Sequence, residues 1–245
     1  MAQGTVALDP VPNGGAPRYT RPMIPWLHLD TASMPGGGGS LRLMQRGQEF
    51  SIMADGGIEL MNSRLSGSEE ALAELTAARL AGRAAPRLLI GGLGMGFTLR
   101  AALKAFSPTA RITVAELVPE VVAWARGPMA HIHAGTLDDR RVGIAVGDVS
   151  AAIAQGGWDA ILLDVDNGPE GLTRRANDGL YDLAGLAAAK AALTPGGVLA
   201  VWSSAPHAVF SKRVRQAGFA VEELKVKAGP GRKKASHVIW LAVKR

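Results

Sequence analysis

From residue 87 the chain repeats one pattern: a short apolar run, a glycine-bounded turn, then an amphipathic stretch. The runs at 87–91, 112–116, 142–146, 160–164 and 198–202 are almost continuously apolar, as strands buried on both faces are, and most are separated by helical stretches of about ten residues. This alternation predicts an α/β fold, a doubly wound and mostly parallel sheet covered on both faces. The end breaks the pattern. Residues 219–226 and 237–243 are strand runs joined without a helix between them, so the two should pair antiparallel, the last strand returning against the direction of the sheet.

Before residue 87 the period is shorter. Partly alternating runs at 41–46, 49–53 and 58–61 are split by Arg46-Gly47-Gln48 and Asp55-Gly56-Gly57, which are hairpin signals, and they predict a small antiparallel β-domain. Ser66-Gly-Ser-Glu69 has the spacing of a capping box, and Leu72, Leu75 and Leu80 follow along one side of a helix reaching about Ala81. Residues 1–40 are rich in Pro and Gly without periodicity and read as an extended arm with few ordered elements. The expected division is an arm at 1–40, a small β-domain at 41–67, and an α/β domain with its leading helix at 68–245.

Composition narrows the function. The 245 residues contain no cysteine, which excludes disulfide frameworks, zinc ribbons and thiol nucleophiles. No apolar run reaches the roughly 18 residues of a membrane span, and the start lacks the basic-then-apolar order of a signal peptide, so a soluble cytoplasmic protein is expected. A net charge of +6 invites a nucleic-acid reading. That charge is localised: ten basic and two acidic residues fall within 209–245, against 17 and 19 in the rest of the chain.

The candidate chemistry begins at Leu88-Leu-Ile-Gly-Gly-Leu-Gly-Met-Gly-Phe-Thr98, an apolar strand running into a glycine turn and a helix. Gly91, Gly92, Gly94 and Gly96 let backbone approach a ligand at a helix N-terminus. Glu116, followed by Leu117, ends the next strand, where a carboxylate can accept both hydroxyls of a ribose. The spacing departs from G-x-G-x-x-G, and no Gly-Lys-Ser/Thr follows, which disfavours dinucleotides and excludes Walker-type phosphate binding. S-adenosylmethionine or a relative fits better, since its sulfonium needs no phosphate cradle. Asp148, before Val149 at the third strand's end, can meet an adenine amino group or cap the following helix, and the two roles are compatible. The fourth strand delivers Asp164-Val-Asp166-Asn167-Gly-Pro169, two carboxylates at the end of the sheet that faces the ligand crevice.

With these residues in order, the chain from about Leu41 to Val243 resembles the spermidine synthase (polyamine aminopropyltransferase) family, built on the class I methyltransferase fold. Ile90-Gly91-Gly92 resembles that family's I-G-G-G-D-G-G, Glu116 its ribose-binding acid, Gly147-Asp148 its adenine-side pair, and Tyr181 through Thr194-Pro-Gly-Gly-Val-Leu199 its helix and strand start. Two acids depart from the pattern. Gly94 stands where the family's acid holds the cationic aminopropyl end of decarboxylated S-adenosylmethionine, and D-S-S-D-P has become Asp164-Val-Asp166-Asn167-Gly-Pro, with Ser68-Glu69 replacing a Tyr-Gln pair that precedes a Glu.

The resemblance implies aminopropyl transfer to an amine, with Asp164 and Asp166 as catalytic acids, Glu69, Asn167 and Tyr181 toward the acceptor, decarboxylated S-adenosylmethionine or a related nucleoside as co-substrate, no metal, and a homodimer. Cationic substrates call for several carboxylates, and attack beside a sulfonium is an in-line displacement governed by orientation. Methyl transfer from S-adenosylmethionine to a non-polyamine acceptor is the rival, since it tolerates the altered acids, and a non-catalytic nucleoside-binding relative is the third reading. The basic connection with Lys227, Arg232, Lys233 and Lys234 should hang over the same face as Glu116 and Asp164, where it would repel a diamine and welcome an anion, or else be a solvated loop. His131-Ile-His133, taken as a strand, lacks a third metal ligand. Trp202-Ser203-Ser204 lacks G-x-S-x-G, and its serines are expected near the acceptor.

Overall fold

The computed structural model describes residues 24–165, 168–169, 178–229 and 236–245. Four strands, β1 (Leu27–Ser33), β2 (Ser40–Arg46), β3 (Glu49–Ala54) and β4 (Glu59–Asn62), form an antiparallel sheet in chain order. The hairpins fall where the alternation predicts. β1 lies within the stretch expected to hold few ordered elements, yet it pairs with β2 from Leu27 opposite Gln45 to Ser33 opposite Ser40. Only Ala32 of β1 is buried, so the strand leaves almost no alternating apolar signal. Leu41, Leu43, Phe50 and Ile52 turn inward from β2 and β3 and join one core with residues of the second sheet.

Helix α1 (Gly67–Arg79) leads into that second sheet. Its N-terminus differs from the expected capping box: Ser66 makes no side-chain cap, and Glu69 bonds instead to its neighbour Ser68. The sheet has seven strands: β5 (Arg87–Gly91), β6 (Arg111–Glu116), β7 (Val142–Val146), β8 (Trp158–Leu163), β9 (Leu193–Ser203), β10 (Phe219–Lys227) and β11 (Ser236–Lys244). Their order is β10-β11-β9-β8-β5-β6-β7. Strands β5 to β9 pair parallel, whereas β11 lies antiparallel to both β9 and β10. Successive residues of the central strands serve opposite faces. Leu88 and Ile90 of β5 enter one core with Ala160 and Leu162 of β8, while Leu89 enters the other with Ile161 and Leu163. Both faces are therefore apolar, which is why the strands read as continuous runs.

The connections hold helices α2 (Phe97–Ala105), α3 (Pro119–Arg126), α4 (Ala130–His133), α5 (Val149–Ile153), α6 (Asp178–Tyr181), α7 (Leu183–Ala192) and α8 (Ala208–Gln216). His131 and His133 thus lie on a helical turn, not on a strand. His133 is buried, and burial together with the nearby Arg100 guanidinium lowers its pKa to about 4, leaving the ring neutral at physiological pH. Among the described residues no helix is long and apolar enough to cross a membrane.

At the N-terminal end of β8, Asp159 ties three segments together. It accepts from Thr194 Oγ1 and from the Arg87 backbone N–H, each at 2.8 Å, and pairs with Arg83. Asp159→Ala leaves these donors without their acceptor and should cost about 1–3 kcal/mol of stability. Thermal or urea unfolding checks this, and an unchanged midpoint would show that water replaces the carboxylate at no cost.

Candidate functional site

The strand order reverses about β5, so the crevice expected of an open parallel sheet lies beyond the C-terminal ends of β5, β6, β7 and β8. Glu116, the last residue of β6, is 8% exposed. Its Oε1 accepts from the Val118 N–H and its Oε2 from the Leu93 N–H, both at 2.9 Å. The turns after β5 and β6 are thereby locked onto one carboxylate. Burial pushes the Glu116 carboxyl up, and backbone N–H groups of Val118, Leu93, Gly94 and Leu117 pull the other way.

Two cavities meet at this end of the sheet. The first encloses about 750 Å³, mouth included, between the glycine turn, the tips of β6 and β7, and a lid of Met34, Leu41, Ile52, Leu60 and Met61 from the small sheet. Its polar groups include Glu116 and Asp148, and Val118, Val121 and Val149 add apolar wall. The second, of about 580 Å³, is bounded by Glu69, Gly96, Phe97 and Trp202. Leu60, Met61, Gly94 and Asp164 line both, so Asp164 stands at the junction.

Two glycines make this junction possible. Gly92 has φ +89°, and a Cβ there would collide with the carbonyl oxygen of Asp164, so only glycine lets the β5 turn pass the tip of β8. Gly94 has φ +48°, and a Cβ there would lie 2.9 Å from Met61 Sδ. A methionine thioether therefore occupies the space into which an acid at position 94 would project.

Asp164 continues β8 through its N–H bond to the Gly91 carbonyl at 3.0 Å. Its Oδ2 accepts the Thr98 hydroxyl at 2.6 Å. Desolvation first, and the Glu69 charge second, raise its pKa to about 7, against the downward pull of Thr98. Burial likewise raises Glu69. A charge on Glu69 thus disfavours ionisation of Asp164.

Of the residues singled out by sequence, Gly92, Gly94, Glu116, Leu117, Asp148, Val149 and Asp164 converge on the first cavity, and Gly96 and Glu69 on the second. Asp148 is also a helix cap, accepting from Ser150 N–H at 2.8 Å. Gly91 is a packing glycine: a Cβ there would press on the side chains of Val149, Leu163 and Val165. Tyr181 is not brought to either cavity. It is 2% exposed at the end of α6, its ring edge-on to Phe210 at 5.7 Å, because the short helix buries its last residue in the core. Asp166, Asn167, Arg232, Lys233 and Lys234 lie outside the described residues. Lys227 ends β10, and the chain just after it docks on α1, where Gly67 N–H donates to the Ala228 carbonyl at 3.2 Å. Sequence reasoning missed Thr98, Met61 and the whole apolar lid. Thr98 had a signal, a hydroxyl in the first turn of the helix that follows the glycines.

This geometry places the chain among proteins with the class I methyltransferase fold. A precorrin-6y C5,15-methyltransferase from Geobacter metallireducens superposes with a TM-score of 0.51 at 16% identity, over 71% of this chain and 87% of that one. The likeness is stronger to spermidine synthases. That of Thermotoga maritima gives a TM-score of 0.69 at 17% identity, over 89% of this chain and 73% of that one. A spermidine synthase in complex with the transition-state analogue AdoDATO gives 0.68 at 17%, over 89% and 72%. In sequence, the chain is 27% identical over 188 residues to the polyamine aminopropyltransferase of Mycobacterium tuberculosis, covering 72% of this chain and 34% of the relative. It spans about a third of the length of the curated relatives it matches. No protein-family model matches it.

Proposed function

We propose that this chain is an aminopropyltransferase that takes decarboxylated S-adenosylmethionine and an amine. The observation that carries the reading is Asp164, one carboxyl at the wall common to a cavity floored by Glu116 and a second cavity holding Glu69. Glu116 would accept the ribose hydroxyls, Asp148 would meet the adenine amino group, and the glycine turn would admit the nucleoside close to backbone. The sulfonium of such a donor supplies a carbon open to displacement. The amine would enter from the second cavity, between Phe97 and Trp202, with Glu69 and Asp164 to attract it and to take its proton. Thr98 holds the Asp164 carboxyl in place, so little reorganisation is needed at the moment of attack. The 27% identity to a polyamine aminopropyltransferase supports the same reaction class.

The pair Gly94 and Met61 supports one rival, methyl transfer from S-adenosylmethionine. A thioether where an acid would project gives no partner to a free ammonium on the donor, which a methyl donor does not need.

The assay is release of methylthioadenosine from decarboxylated S-adenosylmethionine in the presence of a panel of amines. Release that depends on an amine supports the reading, and none with any amine overturns it. The same assay carries a pH prediction. Asp164 accepts a proton only when ionised, so activity should rise as pH passes about 7 and level off above. Glu69→Gln removes the neighbouring charge and should move that rise to lower pH. A midpoint that stays fixed would show that Glu69 is not felt at Asp164.

A further inference from the structure

An amine that attacks as a free base leaves one proton in the site, and a buried carboxyl pair that keeps it cannot serve the next turnover. From this pair a line of contacts leads outward. Glu69 Oε2 is 2.5 Å from Ser68 Oγ, and Ser68 Oγ is 2.8 Å from His237 Nδ1. Ser68 is completely buried on the first turn of α1, whereas His237, the second residue of β11, is partly exposed. Neither residue lines either of the two cavities described above, and no step of the transfer itself uses them.

We propose that Ser68 and His237 form the outlet for the proton that amine transfer leaves on the Asp164–Glu69 carboxyl pair, an inference that rests on the transfer reading above. In the transfer a C–N bond forms and the C–S bond breaks, its electron pair staying on sulfur, while the nitrogen gives one proton to Asp164, whose O–H bond then breaks as the proton joins Glu69 Oε2 across the second cavity that both carboxyls line. The Glu69 Oε2–H bond then breaks as that proton joins Ser68 Oγ, and the hydroxyl's own proton passes to His237 Nδ1. The imidazolium sheds its Nε2 proton to water, and the neutral ring resets its tautomer through solvent.

The surroundings of His237 favour release. Burial lowers its pKa, so it does not hold the proton. On α1 it faces Ser68 and, through it, Glu69. On β9 the Trp202 ring packs edge-on at 4.9 Å. On β10 its register partner is Val226, while Lys225 and Lys227, one residue to either side, point to the opposite face of the sheet. The described residues thus place no cation beside the ring on its own face of β10.

His237→Gln keeps a hydrogen-bonding group but cannot carry the proton. Its expected result is a kcat lowered about 10-fold, less than the ~10²–10⁴ of a direct general base, with KM and methylthioadenosine affinity unchanged and the rate restored by added imidazole. A merely structural role would alter affinity and would not respond to imidazole. Unchanged kcat, or a loss that imidazole does not repair, overturns the outlet. A second measurement does not depend on turnover. The ¹⁵N resonances of His237 should titrate in two steps, its own and that of the carboxyl pair, and Ser68→Ala should remove the second. A single step in the wild type overturns the outlet. If the wild type transfers nothing, the transfer reading falls and the two-step titration alone judges the connection.

Discussion

Glu116→Ala is expected to abolish measurable nucleoside binding, lowering affinity for methylthioadenosine by at least about 100-fold. Two hydroxyl hydrogen bonds to a desolvated carboxylate are each worth about 1.5–3 kcal/mol, which together correspond to that factor or more. A second loss adds to the first. The same carboxylate accepts the N–H groups of Leu93 and Val118, so its removal frees both turns that shape the cavity. Glu116→Gln separates the two effects. Its amide oxygen can still accept one backbone bond, so the fold should survive while the charge-assisted bonds to the ligand are lost, with affinity down about 10-fold or more. Calorimetry on both variants reads this directly, and wild-type affinity in Glu116→Gln would remove the ribose from Glu116.

Asp164→Asn is expected to leave nucleoside affinity within about twofold and to lower turnover by ~10²–10⁴, the range that a positioned general base supplies. The amide can still accept the Thr98 hydroxyl, which keeps the side chain in place. Stability gives an internal control. The folded-state pKa of Asp164 lies near 7, above its ordinary value of 3.8, so the folded chain binds this proton more tightly than the unfolded chain does. The associated stability is fully present below pH 3.8 and is lost as pH rises through about 7. Asparagine cannot ionise, so Asp164→Asn should melt higher than wild type at pH 8, with the difference shrinking as pH falls. A variant that is inactive yet more stable at pH 8 cannot be explained by misfolding, and full activity in it would rule out Asp164 as the base.

The parallel strands were legible because burial on both faces leaves continuous apolar runs, and the predicted limits at 87–91 and 142–146 coincide with β5 and β7. The positions of Glu116, Asp148 and Asp164 were legible because two of them end such a run and Asp148 lies two residues beyond one, and strand order brings those ends together. β1 was hidden because a strand with one buried residue leaves no period to read. The lid was hidden for a different reason: Met34, just after β1, and Leu60 and Met61 of β4 belong to the small β-domain, and nothing local says that they close over the first cavity. Tyr181 had no phase to read on so short a helix: its ring lies in the core against Phe210, and its hydroxyl donates to the Val165 carbonyl at 3.4 Å. The Ser68–His237 contact joins residues 169 positions apart, so only the fold reveals it.

Isothermal titration of the wild-type chain with decarboxylated S-adenosylmethionine, S-adenosylmethionine and methylthioadenosine identifies the donor. All three carry the same ribose and adenine, so differences in affinity come from the sulfur: methylthioadenosine is a neutral thioether, and the two sulfonium donors differ from each other only in the carboxylate of the chain. The decarboxylated donor should bind tightest, because its chain carries no carboxylate to be repelled by Asp164 and Glu69. Tighter binding of S-adenosylmethionine would contradict aminopropyl transfer and favour the methyl-transfer reading.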